Sequence, residues 1–255
     1  AEKRKMQKIR RKELRKRAKL LGKEVPSAKP GPWSDSKLTG VTVVVDLTFD
    51  RLMRPHEIKS MTNQLMQCYG KNRRAPAPAT LVLAAPDDPA EAPVIERLHN
   101  TMQIVPKNGW GLWSPPPGNE RTSLNGLYFA RGPDLLSALA EGDLSSLVYL
   151  TPDTENDIES FEVGKKYIIG GFVDKNRFKG ITAEKADTLG IAKARLPIGP
   201  YIAQGSRQVI TVNQVFEIIL AFLELNDWEA AFFRVVPKRK RAPGSSRAAP
   251  AAAPA

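Results

Sequence analysis

From residue 41 to residue 235 the chain alternates between short apolar runs and longer stretches in which apolar positions recur every three or four residues. The runs read as strands and the recurrences as helices. "VTVVVDLTF" (41–49) is almost wholly apolar up to Asp46, the pattern of a parallel strand buried on both faces. Residues 55–70 follow as a helix, with Pro55 in its first turn and Ile58, Met61, Leu65 and Met66 at helical spacing. "ATLVLAA", from Ala79, is a second strand. Strand, helix, strand at this separation predicts a parallel α/β sheet. The pattern weakens over 86–132: a short helix is expected around 94–99, a strand at "TMQIV", a loop at "NGWGLWSPPPGNERTS" and a short strand at "LNGLYFARG". It then sharpens. "PDLLSALAEGD" predicts a helix stopped by Gly142, "SLVYLT" (146–151) a strand, and "PDTENDIES" a helix start with Asp and Thr as caps. "KKYIIGGFV" is a strand, "TAEKADTLG" a helix closed by Gly190, and "IAKARLPIG" a short strand. "TVNQVFEIILAFLEL" puts Val212, Val215, Phe216, Ile219, Leu220 and Leu223 on one helical face, and "DWEAAFFRVV" starts a last helix.

Charge divides this chain into parts. The net charge of +12 is concentrated at the two ends: residues 1–24 carry +9 and residues 238–255 carry +5, which leaves the remainder slightly acidic. The expected organisation is a basic helical arm (1–24), a Pro/Gly-rich linker (25–40), a globular domain (41–237) and a basic, low-complexity, disordered tail (238–255). The arm has too few apolar residues for a core-facing helix. It suits a phosphate backbone; a solvated, fraying helix or a localisation signal is the alternative. An apolar fraction of 42% is enough for a core. A single cysteine, Cys68, rules out an internal disulfide and suits a reducing compartment. No apolar run reaches membrane-spanning length, and no apolar segment follows the early charges as a secretory signal requires.

Candidate chemistry gathers at three strand ends, "YLTPD", "GGFVDKN" and "RLPIGPY". In an α/β sheet, ligands bind beyond the carboxyl ends of the strands. The pair Gly170–Gly171 lets a ligand approach the backbone, or makes only a bulge. Neither phosphate-binding glycine signature, G-x-x-x-x-G-K-[ST] or G-x-G-x-x-G, is present. With one Cys and two His (His56 and His99, both on expected helices), a zinc site is not expected. Cys68 reads as a buried apolar side chain. Trp110 and Trp113 either stack on a base or pin a loop. Asp174 follows the glycine-bearing strand with cations beside it, which makes it the candidate for acid–base work. Asp46 also ends a strand and reads equally well as a loop-bonding carboxylate.

"VDLTFDRLM", "CYGKNRR", "LVYLTPDTEN", "YIIGGFVDKNRFKG", "ARLPIGPYI" and "ITVNQVFEIILAFLELNDWEAAF", in that order, resemble the SPOUT-class tRNA methyltransferases that act on N1 of the purine at position nine of tRNA. The resemblance covers roughly residues 41–235, except 86–125, where nothing is carried over. It implies a parallel α/β domain with a C-terminal trefoil knot, S-adenosylmethionine as cofactor, tRNA as partner, and a monomer needing neither metal nor membrane in nucleus and cytoplasm. It places cofactor contacts on Leu150, Thr151, Gly171, Lys175, Asn176, Arg177, Phe178, Lys179, Leu196, Pro197 and Thr211, and the general base on Asp174. N1 of neutral guanine carries a proton, so methylation there needs an acceptor. Lys175 and Arg177 are expected to keep Asp174 ionised. An inactive RNA-binding module, an enzyme acting on adenine-9, and a scaffold that docks a protein through 211–235 remain alternatives.

Overall fold

The computed structural model describes residues 38–86, 88–102, 127–131, 142–175, 177–202, 210–237 and 241. The arm, most of the linker, the expected helix at 133–141, Trp110 and Trp113 lie outside them. Among the described residues six strands form one sheet: β1 (Thr42–Asp46), β2 (Thr80–Ala85), β3 (Leu127–Arg131), β4 (Leu147–Leu150), β5 (Lys166–Gly170) and β6 (Ala192–Ala194). Their order is β3-β2-β1-β5-β4-β6, and every pairing is parallel. The helices are α1 (Pro55–Asn72), α2 (Pro93–Met102), α3 (Ile181–Thr188), α4 (Val212–Leu225) and α5 (Trp228–Val235).

Alternation along the strands assigns the two faces. Val43, Val45, Leu81, Leu83, Tyr167 and Ile169 face one core, shared with Met61, Leu65 and Cys68 of α1, Ile95 and Leu98 of α2, Phe216 of α4 and Phe232 of α5. Val44, Val82, Tyr149 and Ile168 face the other, where Ala186 of α3 and Ile191 pack. Burial on both faces is why these strands are continuously apolar. Helix α1 starts as expected, with Pro55 at its first position and the Glu57 side chain accepting from the Arg54 N–H at 2.8 Å. It ends where the Asn72 amide clamps both the N–H and the C=O of Ala79, at 3.1 and 2.7 Å, at the start of β2. Burial pushes the Cys68 thiol well above its ordinary range, with the charge of Glu217 adding to it, so Cys68 is a core side chain.

Three sequence expectations change. The segment 152–160 is irregular rather than the start of a helix. Four acids share it with one buried apolar residue, Ile158, which is no basis for a helical core face. Instead it pairs with the chain after β6: Arg195 N–H donates to Asn156 O at 2.8 Å and Ile158 N–H to Arg195 O at 2.9 Å. The "TMQIV" strand is not formed at its first two residues, because Thr101 and Met102 complete α2. There the Thr101 hydroxyl donates to Arg97 O, the ordinary back-bond within a helix. The buried face of α4 is wider than one stripe: Ile218, Ala221 and Phe222 are buried along with Val212, Phe216, Ile219 and Leu220.

Going outward from the middle of the sheet, β1, β2 and β3 lie on one side and β5, β4 and β6 on the other. The direction of winding therefore reverses between β1 and β5. Such a switch point opens a crevice beyond the carboxyl ends of the two strands.

Candidate active site

The loops that follow β1 and β5 flank that crevice. Asp46 ends β1 in register with Gly170, and the Gly171 N–H donates to Asp46 O at 2.8 Å. A Cβ on Gly171 would lie 2.7 Å from each of Asp46 O, Leu47 Cδ2 and Val45 Cγ1. Glycine at 171 is therefore demanded by the close approach of β1, whatever a ligand also requires. A Cβ on Gly170 would meet Thr182 Cγ2 at 2.7 Å and the Phe172 ring at 3.0 Å. Both glycines thus have a packing reason that the sequence reading did not contain.

Beyond Gly171 the loop is tied to the opposite wall. The Phe172 ring packs on Phe49, centroids 4.9 Å apart, and the Val173 N–H points at Met53 Sδ at 3.3 Å. Asp174 is half-buried, and its Oδ2 accepts from the Phe178 N–H at 2.8 Å. Its carbonyl accepts from the Arg177 N–H at 3.3 Å and from Arg177 Nε at 2.9 Å. The Arg177 guanidinium then reaches Glu57 Oε2 at 2.5 Å and Leu52 O at 3.3 Å, over the Phe178 ring. Arg177 thus spends its charge on Glu57 and on main-chain carbonyls, a different use from the expected ion partner of the Asp174 carboxylate. Lys175, in the left-handed region at φ 53°, and Lys179 are exposed. Asn176 lies outside the described residues.

Under this loop sits a buried polar cluster. Asp46 is fully buried; its Oδ2 accepts from Tyr149 Oη at 2.8 Å and Lys185 Nζ at 2.6 Å, and its Oδ1 from the Thr48 N–H and hydroxyl at 3.1 and 2.7 Å. Asp46 is therefore the loop-bonding carboxylate of the two readings, with an ion pair added. Burial first, then the charge of Asp46, keeps the Tyr149 phenol well above its ordinary pKa, so it stays a donor. Asp50, 1% exposed, accepts from the Val94 N–H at the start of α2 at 3.0 Å, while its Oδ1 has no partner. Burial raises its pKa to about 7, against the Val94 bond and with help from the charge of Asp46.

At the ends of β4 and β6, Leu150 pairs with Ala194 and the Thr151 N–H donates to Ala194 O at 2.9 Å. This sets the end of β4 against the end of β6, two residues before Leu196. The Thr151 and Thr182 hydroxyls bond at 2.8 Å, which seats the start of α3 over β4 and β5. Leu150 and Leu196 are buried, and Phe172, Val173 and Ile198 are half-buried against the same core. Thr211 is the exposed N-cap of α4. It bonds within its own cap, from N–H to Gln214 Oε1 at 3.1 Å and with Asn213 Oδ1 at 2.7 Å. The next turns of α4 reach Gln67 and Lys71 of α1. Thr211 thus opens a helix that Asn213 and Glu217 tie to α1. Glu57, Met53, Thr182 and Lys185 were missed from the sequence. Glu57 alone had a signal, a Glu at the third position of a Pro-started helix, and that signal points to capping. Among the described residues no group of His, Cys, Asp and Glu is placed to hold a metal.

Several known proteins are similar to this chain. The family model described as tRNA (guanine(9)-N(1))-methyltransferase TRM10/TRM10A matches residues 1–241. The tRNA methyltransferase 10 homolog A of Xenopus tropicalis is 37% identical over 204 residues, covering 80% of this chain and 54% of its own. The tRNA (guanine(9)-N1)-methyltransferase of Schizosaccharomyces pombe is 36% identical over 244 residues, covering 94% of this chain and 72% of its own. The chain thus spans about half the length of the first of these relatives. The crystal structure of full-length spTrm10 in complex with SAH superposes with a TM-score of 0.61 at 31% identity, covering 78% of this chain and 97% of that one.

Proposed function

The chain belongs to the tRNA (guanine(9)-N(1))-methyltransferase TRM10/TRM10A family, and from that premise we propose that it methylates N1 of guanine at position nine of tRNA with S-adenosylmethionine as donor. The observation that carries this reading is the seat of Asp174. A half-buried carboxylate stands on a loop bound to both walls of the β1/β5 switch point, where an α/β sheet takes its ligands.

The residues present fit the cofactor. The strand-end rim is apolar, from Leu150, Leu196, Pro197 and Ile198 on one side to Val173 on the other. That chemistry suits a flat adenine and a thioether chain, with main-chain groups left to orient them. When bound, S-adenosylmethionine supplies an electrophilic methyl group. The chain's own residues do the rest. Leu150, Thr151, Leu196 and Pro197 hold and orient the donor. Asp174 accepts the N1 proton of guanine, directly or through a water, which frees the ring nitrogen to attack. N1 lies on the pairing edge of the base, so the nucleotide leaves its stack to reach the loop. Lys175 and Lys179, exposed beside Asp174, meet phosphate. The +9 arm adds a grip that is independent of sequence. A C-terminal knot, a monomeric state and residence in nucleus and cytoplasm belong to the same proposal and rest on family membership.

The test is to incubate the protein with labelled donor and unmodified tRNA and map the product. Label on N1 of guanine-9 is expected, with a single-turnover rate that falls by about 10²–10⁴-fold in Asp174→Asn. Label on adenine-9 alone, or none, overturns the reading.

A further inference from the structure

We propose that Glu57 is a positioning residue for the loop after β5: it holds Arg177, Arg177 holds the main chain at Asp174, and the proton-accepting carboxylate is thereby set in place from α1. The proposal rests on Asp174 being that acceptor. Glu57 is 1% exposed. A carboxylate so deeply desolvated persists only if it is paired and hydrogen-bonded. Both requirements are met at a single oxygen. Oε2 accepts from the Arg54 N–H at 2.8 Å and from Arg177 Nη2 at 2.5 Å. The other oxygen, Oε1, has the exposed imidazole of His56 at 3.9 Å.

The guanidinium is a planar fork, so one side chain binds two elements at once. Its Nη2 faces Glu57 and Leu52 O on the β1 side, while Nε returns to Asp174 O at 2.9 Å. Between Asp174 and Arg177 the backbone passes through the left-handed region at Lys175, φ 53°. A non-glycine residue stays there only when its surroundings hold it. The Asp174 carboxylate is bonded in turn to the Phe178 N–H, so a shift of this turn carries the carboxylate with it. A capping residue at the start of a helix would need none of this reach. The pairing of Glu57 with a residue 120 positions away is what assigns it a second task.

The full chain is compared with Glu57→Gln, Arg177→Gln, the double variant and Asp174→Asn. Single-turnover methylation of unmodified tRNA is measured at saturating donor, together with hydrogen exchange of the 174–178 amides. Glu57→Gln keeps the size and the Arg54 bond but removes the charge. The expected rate loss is roughly 10–100-fold, since small displacements of a reacting group cost that much. Exchange at Arg177 and Phe178 rises, and the double variant is no slower than Arg177→Gln. Arg177→Gln removes the same pair from its more exposed end, so a poorly folding Glu57→Gln does not end the test. Wild-type rate and exchange in Glu57→Gln overturn the proposal. So do losses that multiply in the double variant, or exchange that rises across the whole domain. Asp174→Asn at the wild-type rate overturns the acceptor assignment instead. That failure is recognised because exchange at Arg177 and Phe178 still rises in Glu57→Gln.

Discussion

Two residues at the switch point sit under stress of opposite kinds, steric at Gly171 and electrostatic at Asp50. At Gly171 a single added methyl meets three atoms at 2.7 Å, one of them the main-chain oxygen that accepts the Gly171 N–H. Neither strand moves cheaply, so Gly171→Ala is expected to destabilise the domain by about 1–3 kcal/mol, the ordinary cost of overpacking. An arginine there would break the pairing of β1 with β5 at the centre of the sheet. Gly199, whose added Cβ would meet nothing within 4 Å, is the control. Thermal melting of Gly171→Ala that matches Gly199→Ala would refute the steric account. Asp50 is raised from 3.8 to about 7, chiefly by burial. Between those values the folded protein holds a proton that the unfolded chain has released. Stability therefore falls as pH rises through this window and levels off above about 7. Asp50→Asn keeps the acceptor for the Val94 N–H and cannot ionise. It should be more stable than the wild type at pH 8, by up to about 4 kcal/mol at 1.36 kcal/mol per pK unit. That advantage should fade towards pH 4. Parallel melting curves across pH 4–8 for the two proteins would show that Asp50 does not titrate in this range.

Helices α4 and α5 close the core with a cluster of aromatic rings. Phe222 lies 4.1 Å from Trp228 and 5.6 Å from Phe161, centroid to centroid, and Phe161 meets Tyr167 of β5 edge-on at 4.8 Å. The Trp228 indole N–H donates to Glu159 O at 2.8 Å, so this cluster also fastens the irregular 152–160 segment. Phe222→Ala should cost about 3–5 kcal/mol. That is a large part of a domain's total of about 5–15 kcal/mol. Chemical denaturation should show the midpoint falling at constant slope. A loss below about 1 kcal/mol would mean that the cluster repacks around the gap.

At the scale of the molecule, charge is spread unevenly along the sequence: residues 1–24 carry +9, while residues 25–237 are nearly neutral. Deleting residues 1–24 should weaken tRNA binding and flatten its dependence on salt, because fewer counterions are released. Affinity for S-adenosylmethionine should not change. Equal tRNA affinity at low salt with and without the arm would make it a localisation or partner segment.

The sequence by itself determined the alternation of strands and helices, the parallel class of the sheet and the strand ends at which a ligand would meet it. Those follow from local periodicity and from the apolar runs that two-sided burial demands. The place of Asp174, just beyond the end of a glycine-bearing strand, was legible because it is a local pattern. Only the tertiary structure decided the strand order, and with it the switch point between β1 and β5. It alone gave Gly171 its steric reason, joined Lys185 to Asp46 across 139 residues, and turned the Glu57 of a helix start into the anchor of Arg177. It also withheld a helix from 152–160, where the Asn156 carbonyl and the Ile158 N–H bond to the Arg195 backbone instead. Local patterns register propensity and which face is buried. Contacts between residues more than a hundred positions apart depend on where the chain reverses its winding, and no short stretch of sequence carries that.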